Sequence, residues 1–139
     1  MKSKKIDNGY IIRLETGEEI ITSMKKFCNE NRIASAKISG IGAVSKIEIG
    51  LFQSNTRKYI SNIIEKDLEL LSLQGNATVV DDESYIHLHI ITSDINNTCF
   101  GGHLNYAFVS VTAEIFLEVF EQKIKRFKDI ELGINLLKL

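Results

Sequence analysis

The sequence has no proline and no tryptophan, and it has only two cysteines and three histidines. Because proline is absent, the boundaries of helices and strands must be inferred from hydrophobic patterning and glycine alone. There is no run of eighteen apolar residues, which argues against a membrane-spanning helix. No apolar segment follows the basic start Met1–Lys5, so we expect no signal peptide. These absences predict a cytoplasmic protein with no membrane partner.

An excess of charge of either sign is also missing. The 17 Lys and Arg residues nearly balance the 18 Asp and Glu residues, and the net charge is −1. DNA-binding modules usually carry a basic excess that neutralises phosphates, so tight, autonomous, non-specific DNA binding is disfavoured, although a local basic patch is not excluded. The two cysteines, Cys28 and Cys99, form no C-x-x-C pair. Free thiols in a reducing cytosol are the simplest interpretation.

The 139 residues form a single domain, and the hydrophobic content of 44% is enough for a substantial core. Lys2–Lys5 is predicted to be a solvated tail, and Tyr10–Leu14 the first strand. Thr16 and Glu19 fit a capping box, with Thr16 as the N-cap of a helix that ends near Asn29–Asn31. The apolar stripe of this helix is Ile20, Ile21, Met24, Phe27 and Cys28.

From Ile33 onward the apolar residues alternate as in strands. Gly40-Ile41-Gly42 suggests a dinucleotide-binding fingerprint, but the position of the third glycine is Ser45 and the next residues alternate like a strand. We therefore interpret Gly40–Gly42 as a tight turn. Gly101 and Gly102 predict a tight bend or a close backbone approach.

A long strand is expected from Tyr106 to Phe120, followed by a charged turn or a helical turn over residues 121–128. Residues 130–139 then predict a terminal strand interrupted by Gly133. One helix among many strands indicates the α+β class, with a largely antiparallel β-sheet flanked by a few helices, in one domain spanning residues 1–139.

All three histidines lie close together in the sequence, as His87-Leu88-His89 and Gly101-Gly102-His103. Alternate residues of a strand face the same side, so the side chains of His87 and His89 project together, roughly 6.5–7 Å apart. A third imidazole from a neighbouring segment would give three protein ligands and leave one position open. This is the pattern of an open zinc site, although imidazoles suit zinc, copper, iron and nickel alike.

The alternative is that the histidines are half-buried polar side chains with satisfied hydrogen bonds. Two carboxylates within apolar segments, Glu69 and Glu114, are candidate acid–base groups beside the metal, or else are paired structurally. Cys99, four positions before His103, is a further candidate for the site. Asp81–Glu83 is predicted to be a solvated turn.

Taken in order, five motifs resemble the PPC (plants and prokaryotes conserved) domain, also called DUF296, in its prokaryotic single-domain form. The motifs are Ser39–Ala43, Leu68–Asn76, His87–His89, Gly101–Leu104 and Thr112–Ile115. The resemblance implies an antiparallel sheet flanked by helices, a homotrimer, and a metal bound by His87, His89 and His103. It also implies a fold similar to that of acetolactate decarboxylase, a three-histidine zinc enzyme.

Prokaryotic members of this family are often described as predicted DNA-binding proteins, whereas plant members contact DNA through added AT-hooks. This sequence has no AT-hook. Where plant members have Gly-Arg-Phe-Glu, it has Lys66-Asp67-Leu68-Glu69, which puts a plant-type partner contact in doubt. The leading hypothesis is therefore a trimeric regulatory module with zinc or another divalent transition metal, and with weak or indirect binding of DNA or a protein partner. The alternative is a small zinc-dependent lyase or decarboxylase that acts on a keto or hydroxy acid.

Overall fold

The computed structural model describes residues 1–139 and contains eight strands and one helix. The elements are β1 (Lys2–Ile6), β2 (Gly9–Glu15), α1 (Ile20–Glu30), β3 (Ala36–Gln53), β4 (Lys58–Val80), β5 (Glu83–Ser93), β6 (Cys99–Val119), β7 (Lys125–Lys128) and β8 (Asn135–Lys138). Every strand pairing is antiparallel except one contact between β4 and β7. The predicted α+β class with a largely antiparallel sheet is confirmed, although a single helix replaces the expected few. That helix is too short to cross a membrane.

The central strands close into a ring. β3 pairs with β4 and β6, and β5 pairs with the same two strands, so each of β3, β4, β5 and β6 has two neighbours within the ring. β1 and β2 extend the sheet beyond β6, while β7 and β8 extend it beyond β4. This closure brings β5 beside the first residues of β6, which is where the histidines lie.

Helix α1 packs on the inner face of the sheet, against β5 and β6. Its predicted apolar stripe is confirmed: Ile20, Met24 and Cys28 are fully buried and Phe27 is nearly so. These side chains join a cluster of 24 buried residues that fills the space between the helix and the strands. The core therefore fixes the inner face of β5, where Leu88 and Ile90 are buried, and turns its histidines outward.

The predicted N-cap is wrong. Glu19, rather than Thr16, caps α1: its carboxylate accepts hydrogen bonds from the backbone N–H groups of Ile21 and Thr22 at 2.8 and 2.6 Å. Thr16 instead donates its hydroxyl to the carbonyl oxygen of Ser110 at 3.0 Å. A carboxylate reaching the free N–H groups of a first turn is favoured by the helix dipole, which explains the shift.

Two other local predictions are wrong for a common reason, namely that neighbouring strands supply pairing that the local sequence does not reveal. The basic segment Lys2–Lys5 is not a tail, because it belongs to β1 and pairs with β2. Gly40–Gly42 is not a turn, because it lies inside β3 at a shift of register against β4 and β6. There the strand bends, as at a β-bulge.

The hairpin of β3 and β4 extends beyond the core. The inner face of β3 is buried at Ile47 and Ile49, but Leu51 on the same face is 68% exposed, and its cross-strand partner Ile60 is 47% exposed. We call residues 49–62 the hairpin arm. Within one protomer no layer covers the apolar side of this arm.

The chain ends in a second hairpin rather than the predicted charged turn and single strand. β7 and β8 pair from Lys125↔Lys138 to Lys128↔Asn135, and the turn between them contains Gly133 with a φ of 71°. The predicted interruption at Gly133 is confirmed as this turn. We call residues 125–138 the C-terminal hairpin. It docks on the far end of β4, where the backbone N–H of Val79 donates to the carbonyl oxygen of Ile124 at 3.0 Å.

Candidate metal centre

The three histidines converge on one point of the outer face. His87 and His89 lie on β5, and His103 lies opposite His89 on β6. One ring nitrogen from each histidine can be chosen such that all three lie within 4.8 Å of one another. The centroids of the three rings are 5.0 to 5.5 Å apart. The strand spacing that predicted a shared face for the histidines is therefore confirmed in the structure.

Close backbone packing makes this convergence feasible. Gly102, directly before His103, lies against β3, and a Cβ atom at this position would sit 2.9 Å from the carbonyl oxygen of Gly50. Gly50 in turn leaves room for the ring and hydroxyl of Tyr59, which a Cβ atom would overlap. The predicted close approach at Gly101–Gly102 is confirmed, and no bend occurs there because both glycines lie within β6.

Arg126 of the C-terminal hairpin contacts the histidine cluster directly. Its guanidinium lies 3.2 Å from Nδ1 of His87 and donates to the side chains of Asn76 and Thr78, each at 2.9 Å. It also donates to the carbonyl oxygen of Asn135 at 2.8 Å. Arginine has donors and no acceptor, so Nδ1 of His87 must be the acceptor and the ring proton lies on Nε2.

The surroundings of His87 and His103 favour neutral imidazoles. Burial, followed by the positive charge of Arg126 and the neighbouring histidines, lowers the pKa of His87 from 6.5 to about 4. Burial and the proximity of His89 also lower the pKa of His103. Metal ions bind the neutral form of histidine, so protons compete weakly at these two residues near neutral pH.

A cavity of about 660 Å³ opens beside the histidines. Its floor consists of the three imidazoles and the backbone of β3 and β6, and the C-terminal hairpin forms the opposite wall. Besides three glycines, the residues that line it are Leu51, Phe52, Tyr59, Tyr85, His87, His89, His103, Lys128, Ile134 and Asn135. This volume is typical of a small-molecule site, and the lining contains no aspartate or glutamate.

Tyr59 forms the side of the cavity next to His103. Its ring meets the imidazole edge-to-face at a centroid distance of 5.9 Å, and its hydroxyl donates to the side-chain oxygen of Asn105 at 2.8 Å. Partial burial raises the pKa of the Tyr59 hydroxyl. The tyrosine is therefore neutral at physiological pH and adds no negative charge to the site.

The structure does not bring the other candidate residues to the histidines. Glu69 is exposed on β4 opposite Ser93, at the end of β5 away from His87. Glu114 is exposed near the other end of β6, between Arg13 and Ile41. Cys99 is exposed at the start of β6, outside the cluster of ligand atoms. Within the protomer, neither glutamate lines the cavity.

Several cavity residues carry no recognisable signal in the sequence. Arg126 and Lys128 lie in a segment whose density of charge suggests a solvated turn, and Tyr59 lies in a polar stretch. Arg126 lies beside His87, and Lys128 lines the cavity, only because the C-terminal hairpin docks on a strand that is distant in the sequence.

Residues 1–121 match the sequence model of the Plants and Prokaryotes Conserved (PCC) domain. The chain belongs to this family. We refer to it as the PPC family, and the resemblance seen in the sequence motifs is confirmed. The match ends just before the C-terminal hairpin, so Arg126 and Lys128 lie outside the matched region.

Solved structures agree with this assignment. A "putative DNA-binding protein" from Bacteroides thetaiotaomicron shares 30% identity and superposes with a TM-score of 0.95, over 99% of this chain and 96% of that one. A plant- and prokaryote-conserved protein from Pyrococcus horikoshii shares 34% identity, with a TM-score of 0.87 over 99% and 94% of the two chains. A metal-containing protein from Archaeoglobus fulgidus shares 28% identity, with a TM-score of 0.87 over 97% and 96%.

A more distant match concerns the fold alone. A Staphylococcus aureus protein similar to α-acetolactate decarboxylase superposes with a TM-score of 0.59 at 12% identity, over 90% of this chain and 56% of that chain. The predicted similarity to the decarboxylase fold is therefore confirmed. A comparison with curated protein sequences found no match.

Proposed function

We propose that this PPC protein is a homotrimeric regulatory module that binds zinc, or another divalent transition metal, through His87, His89 and His103. The observation that carries the proposal is the convergence of three imidazoles beside a cavity. The metal-containing relative from Archaeoglobus fulgidus supports the metal part.

The donor set suits such an ion. Three neutral nitrogen ligands with one open position are typical of zinc sites that exchange a ligand, and borderline-soft metals prefer imidazole to the oxygen ligands that magnesium and calcium require. When bound, the metal would act as a Lewis acid on whatever occupies the open position. Asn76 lies next to the site, and its side-chain oxygen accepts a hydrogen bond from the guanidinium that contacts His87.

Metal content tests the proposal. Elemental analysis of untagged protein should give about one zinc per protomer for the wild type, and His89→Ala should lose it. Gln74→Ala is a matched control, because Gln74 is the exposed cross-strand neighbour of His89 on β4 but is not one of the proposed metal ligands. Equal metal content in His89→Ala and the wild type, or no metal in any variant after dialysis against zinc, would contradict the metal site.

The trimer is supported by the hairpin arm, whose apolar side is uncovered in the protomer. Exposed pairs of large apolar side chains such as Leu51 and Ile60 are typical of interaction surfaces. Leu51 also lines the histidine cavity, so a second copy seated on the arm would lie next to the metal site.

The DNA-related part of the function is expected to be weak or indirect. The relative from Bacteroides thetaiotaomicron is named for DNA binding, yet this chain has a net charge of −1. A gel-shift experiment at physiological salt should show little binding of random duplex DNA by the protein alone. Tight, salt-sensitive binding would contradict this expectation and identify a direct DNA-binding protein.

A second function, a small zinc-dependent lyase or decarboxylase acting on a keto or hydroxy acid, is favoured by the cavity beside the histidines. Neither Glu69 nor Glu114 lines that cavity, so proton transfer in such an enzyme would fall to other groups. Zinc-loaded protein should then turn over small keto or hydroxy acids in a manner that His89→Ala abolishes. If zinc-loaded protein turns over none of these acids, the enzyme function is excluded and the regulatory module remains as the proposed function.

A further inference from the structure

The histidine cavity contains positive charge with no negative charge to balance it. Lys128 lines the cavity and forms no ion pair, and the lining includes no carboxylate. Behind the wall, Arg126 donates hydrogen bonds only to neutral groups, namely the side chains of Asn76 and Thr78, the carbonyl oxygen of Asn135 and the ring of His87.

A metal ion held by three neutral imidazoles would add to this imbalance. In many zinc sites an aspartate or glutamate offsets the charge of the metal, but no carboxylate of the protomer lines this cavity. Arg126 is half-buried and hydrogen-bonded to neutral groups, and Lys128 is exposed, so the charge that would most need a counter-ion is that of the bound metal. The electrostatic complement of this cavity is therefore an anion that reaches both the metal position and Lys128.

The rest of the lining narrows the class of anion. Phe52 and Ile134 are apolar, and Tyr59 and Tyr85 are aromatic. Sites of this size and composition bury an apolar ligand body and orient it with a few polar groups. A small organic acid fits this description better than a bare inorganic anion, which would leave the apolar wall unused.

We propose that the cavity binds a small organic acid whose carboxylate is held between the metal position and Lys128, and whose apolar body packs against Tyr59 and Ile134. The C-terminal hairpin thus supplies the residue that recognises the anion, although it lies beyond the part of the chain matched by the family. The proposal rests on the metal site proposed above and names the ligand class of that site.

Calorimetric titration tests this with 2-hydroxy-3-methylbutanoate as the probe and its neutral amide as the comparison. Zinc content is measured on the same samples before titration. Zinc-loaded wild-type protein should bind the acid at least about tenfold more tightly than the amide. Lys128→Gln should weaken acid binding by about tenfold, the usual value of a charge-assisted hydrogen bond, and leave amide binding unchanged.

Lys125→Gln is the matched control, since Lys125 lies on the same strand, is exposed and does not line the cavity. Its acid binding should equal that of the wild type. Inorganic phosphate is titrated alongside, and it should bind more weakly than the acid because it cannot use the apolar wall.

The outcomes separate the two proposals. Protein that takes up zinc but binds acid and amide equally, or loses nothing on Lys128→Gln, overturns the organic-acid proposal and leaves the metal site standing. Phosphate binding as tight as acid binding also overturns it. If no zinc binds but the acid still binds in a Lys128-dependent manner, the metal proposal fails and the anion site stands. If neither zinc nor acid binds, both proposals fail.

Discussion

The two cysteine thiols differ sharply in their surroundings. Cys28 is fully buried in α1, and burial raises the pKa of its thiol to about 12, whereas Cys99 is exposed at the start of β6. Thiolates are the reactive species, so Cys28 is inert while the protein is folded. We expect a thiol-specific reagent to label one thiol per native chain and two in denaturant. Cys99→Ser should abolish native labelling, and rapid native labelling of that variant would contradict the burial of Cys28.

The lowered pKa of His87 links the stability of the metal-free protein to pH. In the unfolded chain the imidazole titrates near 6.5, but in the folded chain it titrates near 4. Between these values the unfolded state binds more protons, so the contribution of His87 is complete above about pH 6.5 and is lost as the pH falls towards 4. Urea unfolding of metal-free protein should therefore give a lower unfolding free energy at pH 5 than at pH 7.

His87→Gln isolates this contribution, since glutamine does not titrate. The difference in unfolding free energy between pH 7 and pH 5 should be smaller in His87→Gln than in the wild type. An identical pH dependence in the two proteins would show that His87 titrates normally in the folded state.

In the metal site, the sequence predicts the position of those residues whose placement follows from strand geometry alone. The i, i+2 spacing of His87 and His89 places both on one face whatever the rest of the fold, and the adjacent pairing of β6 supplies His103. The apolar neighbours of Glu69 and Glu114 indicate strands, but they do not reveal how far along the sheet these residues lie from the histidines. Arg126 could not be predicted because its contacts depend on the docking of a distant segment.

At the scale of elements, Glu19 connects α1 to the sheet. Besides capping the helix, its carboxylate accepts a hydrogen bond from the backbone N–H of Ala107 on β6 at 3.1 Å. Glu19→Ala should lower the unfolding free energy by about 1–2 kcal/mol, because an N-cap and a partly buried hydrogen bond are lost together. Glu30→Ala, at the exposed C-terminal end of the helix, is the control for urea unfolding and should change little. Equal effects of the two substitutions would contradict the capping role of Glu19.

Elements were predictable where a periodic apolar pattern is long, as in α1 and β6. The prediction was wrong where pairing with a distant strand decides the conformation. β1 is a basic segment that becomes a strand only because β2 offers an edge, and Gly40–Gly42 continues β3 because β4 and β6 pair on both sides. With no proline in the chain, nothing in the local sequence marks these boundaries.

At the scale of the whole molecule, the hairpin arm should carry the contacts between protomers. Light scattering of the wild type should give about three times the protomer mass of 15.7 kDa. Ile60→Lys should lower that mass, because a charge would be buried against a second copy. Ile95→Lys is the control, since Ile95 is 94% exposed in the turn before β6 and should leave the mass unchanged. Unaltered trimers of Ile60→Lys would place the interface elsewhere.

A metal ion and Arg126 of the C-terminal hairpin would compete for the imidazole of His87. A metal on Nδ1 of His87 takes the lone pair that the guanidinium uses. A metal on Nε2 requires the ring proton to move to Nδ1, where it would meet a donor. Either way that contact would be given up when a metal binds, and it belongs to the same guanidinium that donates to the carbonyl oxygen of Asn135. Metal binding would therefore weaken the hold of Arg126 on the C-terminal hairpin without removing the strand pairing that docks it, and the coupling would be reciprocal.

Hydrogen exchange should report this antagonism as faster amide exchange in residues 125–138 when zinc is added, with little change in α1. Arg126→Gln should bind zinc more tightly than the wild type, and unchanged exchange on loading would show that the two events are independent. With such coupling, the mobility of the last fifteen residues would depend on whether the metal is bound. A partner that binds this segment would then respond to the metal without contacting it.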